Sequence, residues 1–96
     1  MNVSVSKIDI KATDERGALH YFNTDRTGEF LLVYRKEGSI SGQHYHKGVY
    51  KGKNPEQMIL VQGSLMMQWK NILTQQNGRL RVEAPAKLTI EANVWH

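Results

Sequence analysis

Gly38-Ser39-Ile40-Ser41-Gly42-Gln43-His44-Tyr45-His46, with Glu56 and Gly63 further on, is the stretch that decides how this chain is read. Successive side chains of an extended segment point to opposite faces, so His44 and His46 project together while Tyr45 points the other way. Such a pair can grip one ion, although a His-x-His taken alone also describes two surface histidines. The turn at 38–42 introduces this histidine strand, and a loop over 47–55 follows it.

Outward from that stretch, short apolar segments alternate with turn formers. Pro55 suits the start of a strand, where its missing N–H costs nothing. By parity Met58, Leu60 and Gln62 share the face of Glu56, leaving Gln57, Ile59 and Val61 to face a second sheet or a second subunit. Leu65, Met67 and Trp69 alternate with Met66, Gln68 and Lys70, which predicts a half-buried strand with Trp69 in the core. Gln75-Gln76-Asn77-Gly78 reads as a turn in which Gly78 is free to take positive φ, ahead of a strand over 80–82.

On the N-terminal side, Val3 and Val5 share one face and Ile8 and Ile10 fall in the other phase, so an edge strand with a slip or bulge near Lys7 is expected. Asp14-Glu15-Arg16-Gly17 reads as a turn, 18–22 as a short strand, and 23–28 as turn formers before a strand over 29–35. In that last strand Phe30, Leu32 and Tyr34 alternate with Leu31, Val33 and Arg35. Both faces are largely apolar, so burial inside a sandwich or against a partner is expected. His20 has no second coordinating group near it in sequence and reads as structural. No segment holds a helical apolar period, and the chain is read as all-β, about eight short strands.

The 96 residues have room for one small domain, 1–96. No apolar run approaches the roughly 18–20 residues that span a bilayer, and Met-Asn-Val-Ser-Val-Ser-Lys lacks a basic start before an apolar core. A cytoplasmic protein with no membrane partner is the expectation. With no cysteine in the chain, any metal must be held by His, Asp or Glu. The 13 Lys and Arg give a formal charge of +4, but they are scattered without a nucleic-acid-binding signature, so no nucleic-acid partner is expected. The local cluster Lys47, Lys51 and Lys53 reads either as a solvated loop or as the rim of a site for a phosphate-bearing ligand.

Gly38, five residues, His44, one residue, His46, then Glu56, six residues and Gly63 resembles the first motif of the cupin superfamily. In most cupins the second histidine and the glutamate lie closer together, so the nine residues 47–55 read as an inserted loop. The texture His-Tyr-His-Lys-Gly and then Pro-Glu-Gln-Met-Ile-Leu-Val-Gln-Gly-Ser looks most like cupins of surface-polysaccharide and nucleotide-sugar metabolism. Asp-Glu-Arg-Gly before a hydrophobic strand is similar to the start of nucleotide-sugar epimerase relatives. Pro85, Leu88, Ile90 and Asn93-Val94-Trp95-His96 resemble the second cupin motif, with Asn93 standing where a turn needs unusual backbone angles.

This resemblance implies a small jelly-roll β-barrel, a homodimer, and a divalent Zn, Fe, Ni or Mn ion held by His44, His46 and Glu56, with His96 as a further ligand. In relatives strands continue past the last histidine, so a partner chain completing or stabilising the barrel is one expectation. Two imidazoles and a carboxylate with an open position can polarise a substrate carbonyl or lower the pKa of bound water. Ser41-Gly42-Gln43-His44-Tyr45-His46 also resembles the Arg-Gly-Leu-His-Tyr-Gln type of segment in nucleotide-sugar epimerases, placing His44 as the catalytic base beside a keto group. Ser41 and His46 stand where that segment has arginine and glutamine. The implied ligand is a small molecule, a nucleotide sugar in particular, with Lys47, Lys51, Lys53 and Tyr45 as substrate-binding residues. Alternatives are a noncatalytic cupin that binds a sugar or anionic metabolite, and an accessory subunit of polysaccharide synthesis.

Overall fold

The structure, a computed structural model, describes residues 2–96. Eight strands and no helix are found among them: β1 Val3–Lys7, β2 Ile10–Asp14, β3 Gly17–His20, β4 Glu56–Leu60, β5 Ser64–Asn71, β6 Asn77–Glu83, β7 Ala86–Ile90 and β8 Val94–Trp95. They form three antiparallel sheets, β1-β7-β4, the hairpin β2-β3, and β6-β5-β8. The all-β expectation holds; the sheets do not close into a barrel here.

The core follows from strand parity. Along β7, Ala86, Leu88 and Ile90 are buried while Lys87 and Thr89 face outward, and β1 and β4 flank this strand. Met67 of β5, Val82 of β6 and Val94 join the same cluster, with Met58, Leu60, Leu65, Trp69 and Leu80 packed against it. Burying a Leu or Ile side chain contributes about 1.5–3 kcal/mol, so this small cluster is the main source of cohesion. The alternation read for residues 65–70 is realised in β5, and Trp69 packs against the core.

Several turns come out as read and others do not. Asp14 caps its hairpin turn by accepting from the Arg16 backbone N–H at 2.8 Å. The irregularity expected near Lys7 instead falls in the β2-β3 pairing, between Ile10 and Ala12. Between β5 and β6 it is Gln75, with φ 67°, that takes the left-handed conformation rather than Gly78. Gly78 is required for a different reason: a Cβ there would lie 2.7 Å from the Trp69 ring, so the indole lies directly on the backbone.

The strand expected over 29–35 is not formed. Residues 21–55 carry no strand, and Phe30, Leu31, Leu32, Val33 and Tyr34 are exposed on both sides of an extended arm, Leu31 at 84%. Strong β-formers need an adjacent edge for their N–H and C=O groups, and none lies beside this segment. The radius of gyration, 14.5 Å, exceeds the about 12.5 Å of a compact chain of this length, as a projecting arm requires. The outer face of β4 and β7 is crossed by the start of the arm: Lys87 Nζ donates to the Asn23 carbonyl at 2.7 Å and Thr24 Oγ1 to Gln57 at 2.8 Å. Among the described residues no helix is long and apolar enough to cross a membrane.

Candidate metal centre

Glu56 is the first residue of β4 and pairs with Ile90, the last residue of β7. From Ile90 the chain turns at Asn93, whose φ of 65° suits a residue that tolerates the left-handed region, and returns as Val94–Trp95 to His96. The histidine segment lies antiparallel against this end. His96 N–H donates to the His44 carbonyl at 3.0 Å, His44 N–H to the His96 carbonyl at 3.2 Å, and Asn93 N–H to the His46 carbonyl at 2.7 Å. Two distant pieces of chain are thereby zipped together beside the start of β4.

Close backbone approach makes Gly42 necessary at the edge of this zipper. Its φ is +90°, and a Cβ there would stand 2.8 Å from the His96 carbonyl oxygen. Any side chain at 42 must push His96 away from His44.

His44, Glu56 and His96 each offer a ligand atom, and these atoms all lie within 4.8 Å of one another, a group that can hold a metal ion. The His44 ring packs edge-on to both His46 and His96, with centroids 4.9 Å apart in each case. His46 Nε2 lies 3.6 Å from Glu56 Oε2, on the same side as His44, as the parity of an extended segment requires. Its ring stands further from His96, at 6.3 Å.

The protonation pattern is set by burial and contact. Glu56 is 7% exposed, yet its pKa is lowered to about 2, chiefly by His96; burial works the other way, and Lys53 adds to the lowering. It is a carboxylate at neutral pH. Burial lowers the pKa of His46 and keeps that ring neutral. For His96 burial also acts downward, but the neighbouring carboxylate and the Val94 carbonyl outweigh it and raise the pKa.

The donor chemistry fits a metal ion. His96 Nδ1 lies 3.0 Å from the Val94 carbonyl, which can only accept, so Nδ1 carries a proton and Nε2, 2.9 Å from Glu56 Oε1, is the nitrogen that an ion would take in place of a proton. That contact has ion-pair distance but not hydrogen-bond direction, and Glu56 Oε1 is buried without a hydrogen-bond partner. His46 Nε2 is buried and unpartnered in the same way. Buried polar atoms without hydrogen-bond partners are uncommon; here one is an oxygen of the Glu56 carboxylate and the other a histidine nitrogen 3.6 Å from its second oxygen.

The lysine-rich loop is placed differently from the expectation of a rim. Lys53 turns inward and its Nζ donates to Glu56 Oε2 at 2.6 Å, while Lys47 and Lys51 are exposed and Tyr45 stands at the edge of exposure. The spacing Lys53-Asn54-Pro55-Glu56 carried the signal, since a turn brings its first and fourth residues together, and the two are bridged here. His20 proves structural: its Nδ1 lies 3.1 Å from both the Ile8 and Asp9 carbonyls, far from the other histidines in role. Its cleft, lined by Lys7, Ile8, Asp9, Ile10 and Pro85, is separate from the His/Glu group.

The fold and the site together define an all-β protein with a candidate two-histidine, one-carboxylate metal centre. No family model, no curated protein and no solved structure matches the chain.

Proposed function

We propose that the chain is a metal-binding protein of cupin type, its ion held by His44, Glu56 and His96 with His46 beside them. The observation that carries this reading is the convergence of ligand atoms from His44, Glu56 and His96, with two buried atoms that lack hydrogen bonds, Glu56 Oε1 within that group and His46 Nε2 beside it. Two imidazole nitrogens and a carboxylate suit a divalent Zn, Fe, Ni or Mn ion. Such an ion, when bound, would polarise a carbonyl or lower the pKa of bound water. His44 is the exposed member of the group, so a ligand reaches the centre from its side.

The substrate class follows from the resemblance of 38–46 and 55–64 to polysaccharide-pathway cupins: a sugar or nucleotide sugar, turned over by an epimerase or isomerase type of reaction. Lys47 and Lys51 are exposed on the loop between His46 and Glu56, where ammonium groups would attract the sugar nucleotide's phosphates. A noncatalytic sugar- or anion-binding cupin is the runner-up, and an accessory subunit of polysaccharide synthesis the third.

A second copy of the chain completes the picture as its partner. The arm at 30–34 exposes apolar side chains on two opposite faces, which a flat docking surface cannot cover. A sheet edge flanked by a second layer can, and this chain has open edges at β1, β4 and β6.

Elemental analysis of protein purified without chelator tests the centre. About one metal ion per chain is expected, lost in His44→Ala and in Glu56→Gln with the circular dichroism of the strands unchanged. Wild-type protein that neither retains nor takes up Zn2+, Fe2+, Ni2+ or Mn2+ would refute the metal reading. Thermal stabilisation by a UDP- or dTDP-sugar, weakened in Lys47→Ala and Lys51→Ala, separates the sugar-nucleotide reading from the others.

A further inference from the structure

Among the described residues Lys53 is the cation set against the Glu56 carboxylate besides the imidazoles, and it is held there by the chain itself. The backbone of residues 53 and 56 is bridged, Lys53 N–H donates to the Tyr50 carbonyl at 2.9 Å, and the ammonium sits 2.6 Å from Oε2. This leaves the carboxylate divided. Oε2 is taken by Lys53, and Oε1 faces His96 Nε2 at 2.9 Å without a hydrogen bond.

A divalent ion seated among His44, Glu56 and His96 would draw on the same carboxylate that the Lys53 ammonium holds through Oε2. Like charges a few ångströms apart repel strongly in a partly buried site, and a doubly charged ion repels an ammonium twice as strongly as a singly charged one. The two cations therefore compete for one carboxylate. Lys53 is part-exposed at the outer side of the pair, and its four-carbon stem lets the ammonium swing to solvent without moving the backbone bridge.

We propose that Lys53 is a built-in counter-ion, which occupies Glu56 when no metal is bound and is displaced when a divalent ion enters. The inference rests on the metal reading above and deepens it: the site is self-neutralised when empty, its metal affinity is set lower than its ligands alone would give, and loading it releases an ammonium group at the pocket mouth. There the freed cation joins Lys47 and Lys51 on the same loop, where an anionic ligand would meet it. Metal binding and anion binding are thereby coupled through one side chain.

The test is a Zn2+ titration of wild type, Lys53→Met and Lys53→Arg, followed by calorimetry and by competition with a chromophoric chelator. Lys53→Met keeps the apolar stem and removes the charge, and it should bind Zn2+ about tenfold more tightly; Lys53→Arg keeps the charge and should stay near wild type. In parallel, the acetylation rate of Lys53, read by peptide mass spectrometry, should rise severalfold on adding Zn2+, with Lys36 as the internal reference. Equal Zn2+ affinity in wild type and Lys53→Met, together with an unchanged Lys53 acetylation rate, overturns the counter-ion while leaving the metal centre standing. A folded protein in which neither wild type nor Lys53→Met binds Zn2+ removes the metal centre, and the counter-ion with it.

Discussion

The segments 56–96 and 21–55 both carry uninterrupted apolar runs, Met58 to Val61 in one and Phe30 to Tyr34 in the other, and only the first segment makes a core. Every member of the buried cluster except its neighbours on β1 comes from 56–96, where β5 and β6 form a hairpin and β7 lies between two strands. Residues 30–34 of the other segment are apolar without interruption and stay exposed. At 30–34 what is missing is a pairing partner, not apolar side chains. Residues of β5 find β6 a short loop away, so backbone and side-chain partners arrive together, whereas the arm finds no edge within its own neighbourhood. What order the arm has comes from its two attachments, Asn23 to Arg26 across the sheet and Gln43 to His46 along the terminal strand.

The sharpest way to break this comparison is to remove matched apolar groups from the two segments. Leu88→Ala empties a position that is 1% exposed at the centre of β7, and large-to-small core changes of this kind cost about 2–5 kcal/mol. For a domain whose total stability is of order 5–15 kcal/mol, that is a large share. Urea denaturation followed by Trp fluorescence should show a midpoint shift of this size. A loss under about 1 kcal/mol would mean that the core does not lie where the sheets place it.

Between core and arm lies the seam, and Gly42→Ala attacks it alone. With φ at +90° and a Cβ 2.8 Å from the His96 carbonyl oxygen, alanine forces the histidine segment off the terminal strand. Backbone strain of this sort costs on the order of 1–3 kcal/mol, less than Leu88→Ala, and it falls on the site rather than the core. The expected result is a loss of Zn2+ affinity of at least about tenfold with the urea midpoint changed less than in Leu88→Ala. Wild-type affinity in Gly42→Ala would show that the pairing of 43–46 with 93–96 does not position the ligands.

How much of this the sequence disclosed follows the same division. Alternation at 65–70 foretold β5, the parity of His44 and His46 foretold their common side, and Asn93 announced the left-handed turn that returns the chain to His96. These are local signals, each set by side-chain direction or backbone preference. The arm at 29–35 misled because β-propensity states that a residue suits a pleated surface, not that an edge is available. Lys53 misled because composition reports a cluster of ammonium groups but not which one a turn folds back on a carboxylate. Gly78 was read for its conformational freedom, while its actual role is to let the Trp69 ring lie on the backbone, a contact made across the β5-β6 pair.

The smallest expected effect on the isolated chain belongs to Leu32→Ser, and it is the most informative about the arm. Leu32 is 75% exposed, so in a monomer its replacement should change stability by less than about 0.5 kcal/mol. If a second copy covers the arm, wild-type protein at micromolar concentration should run as a dimer in light scattering, and Leu32→Ser should shift it toward monomer while leaving the urea midpoint of the monomer in place. Wild-type protein that is monomeric at every concentration would refute the second copy as partner. A monomer destabilised by more than about 1 kcal/mol in Leu32→Ser would further show that the arm folds back onto its own sheets. Burial of the arm, by whichever route, carries a consequence for the centre, because residues 43–46 are the continuation of 30–34 through the turn at 38–42. Fixing one end of the arm reduces the freedom the histidines lose on binding an ion, so dimer formation and metal affinity should rise together.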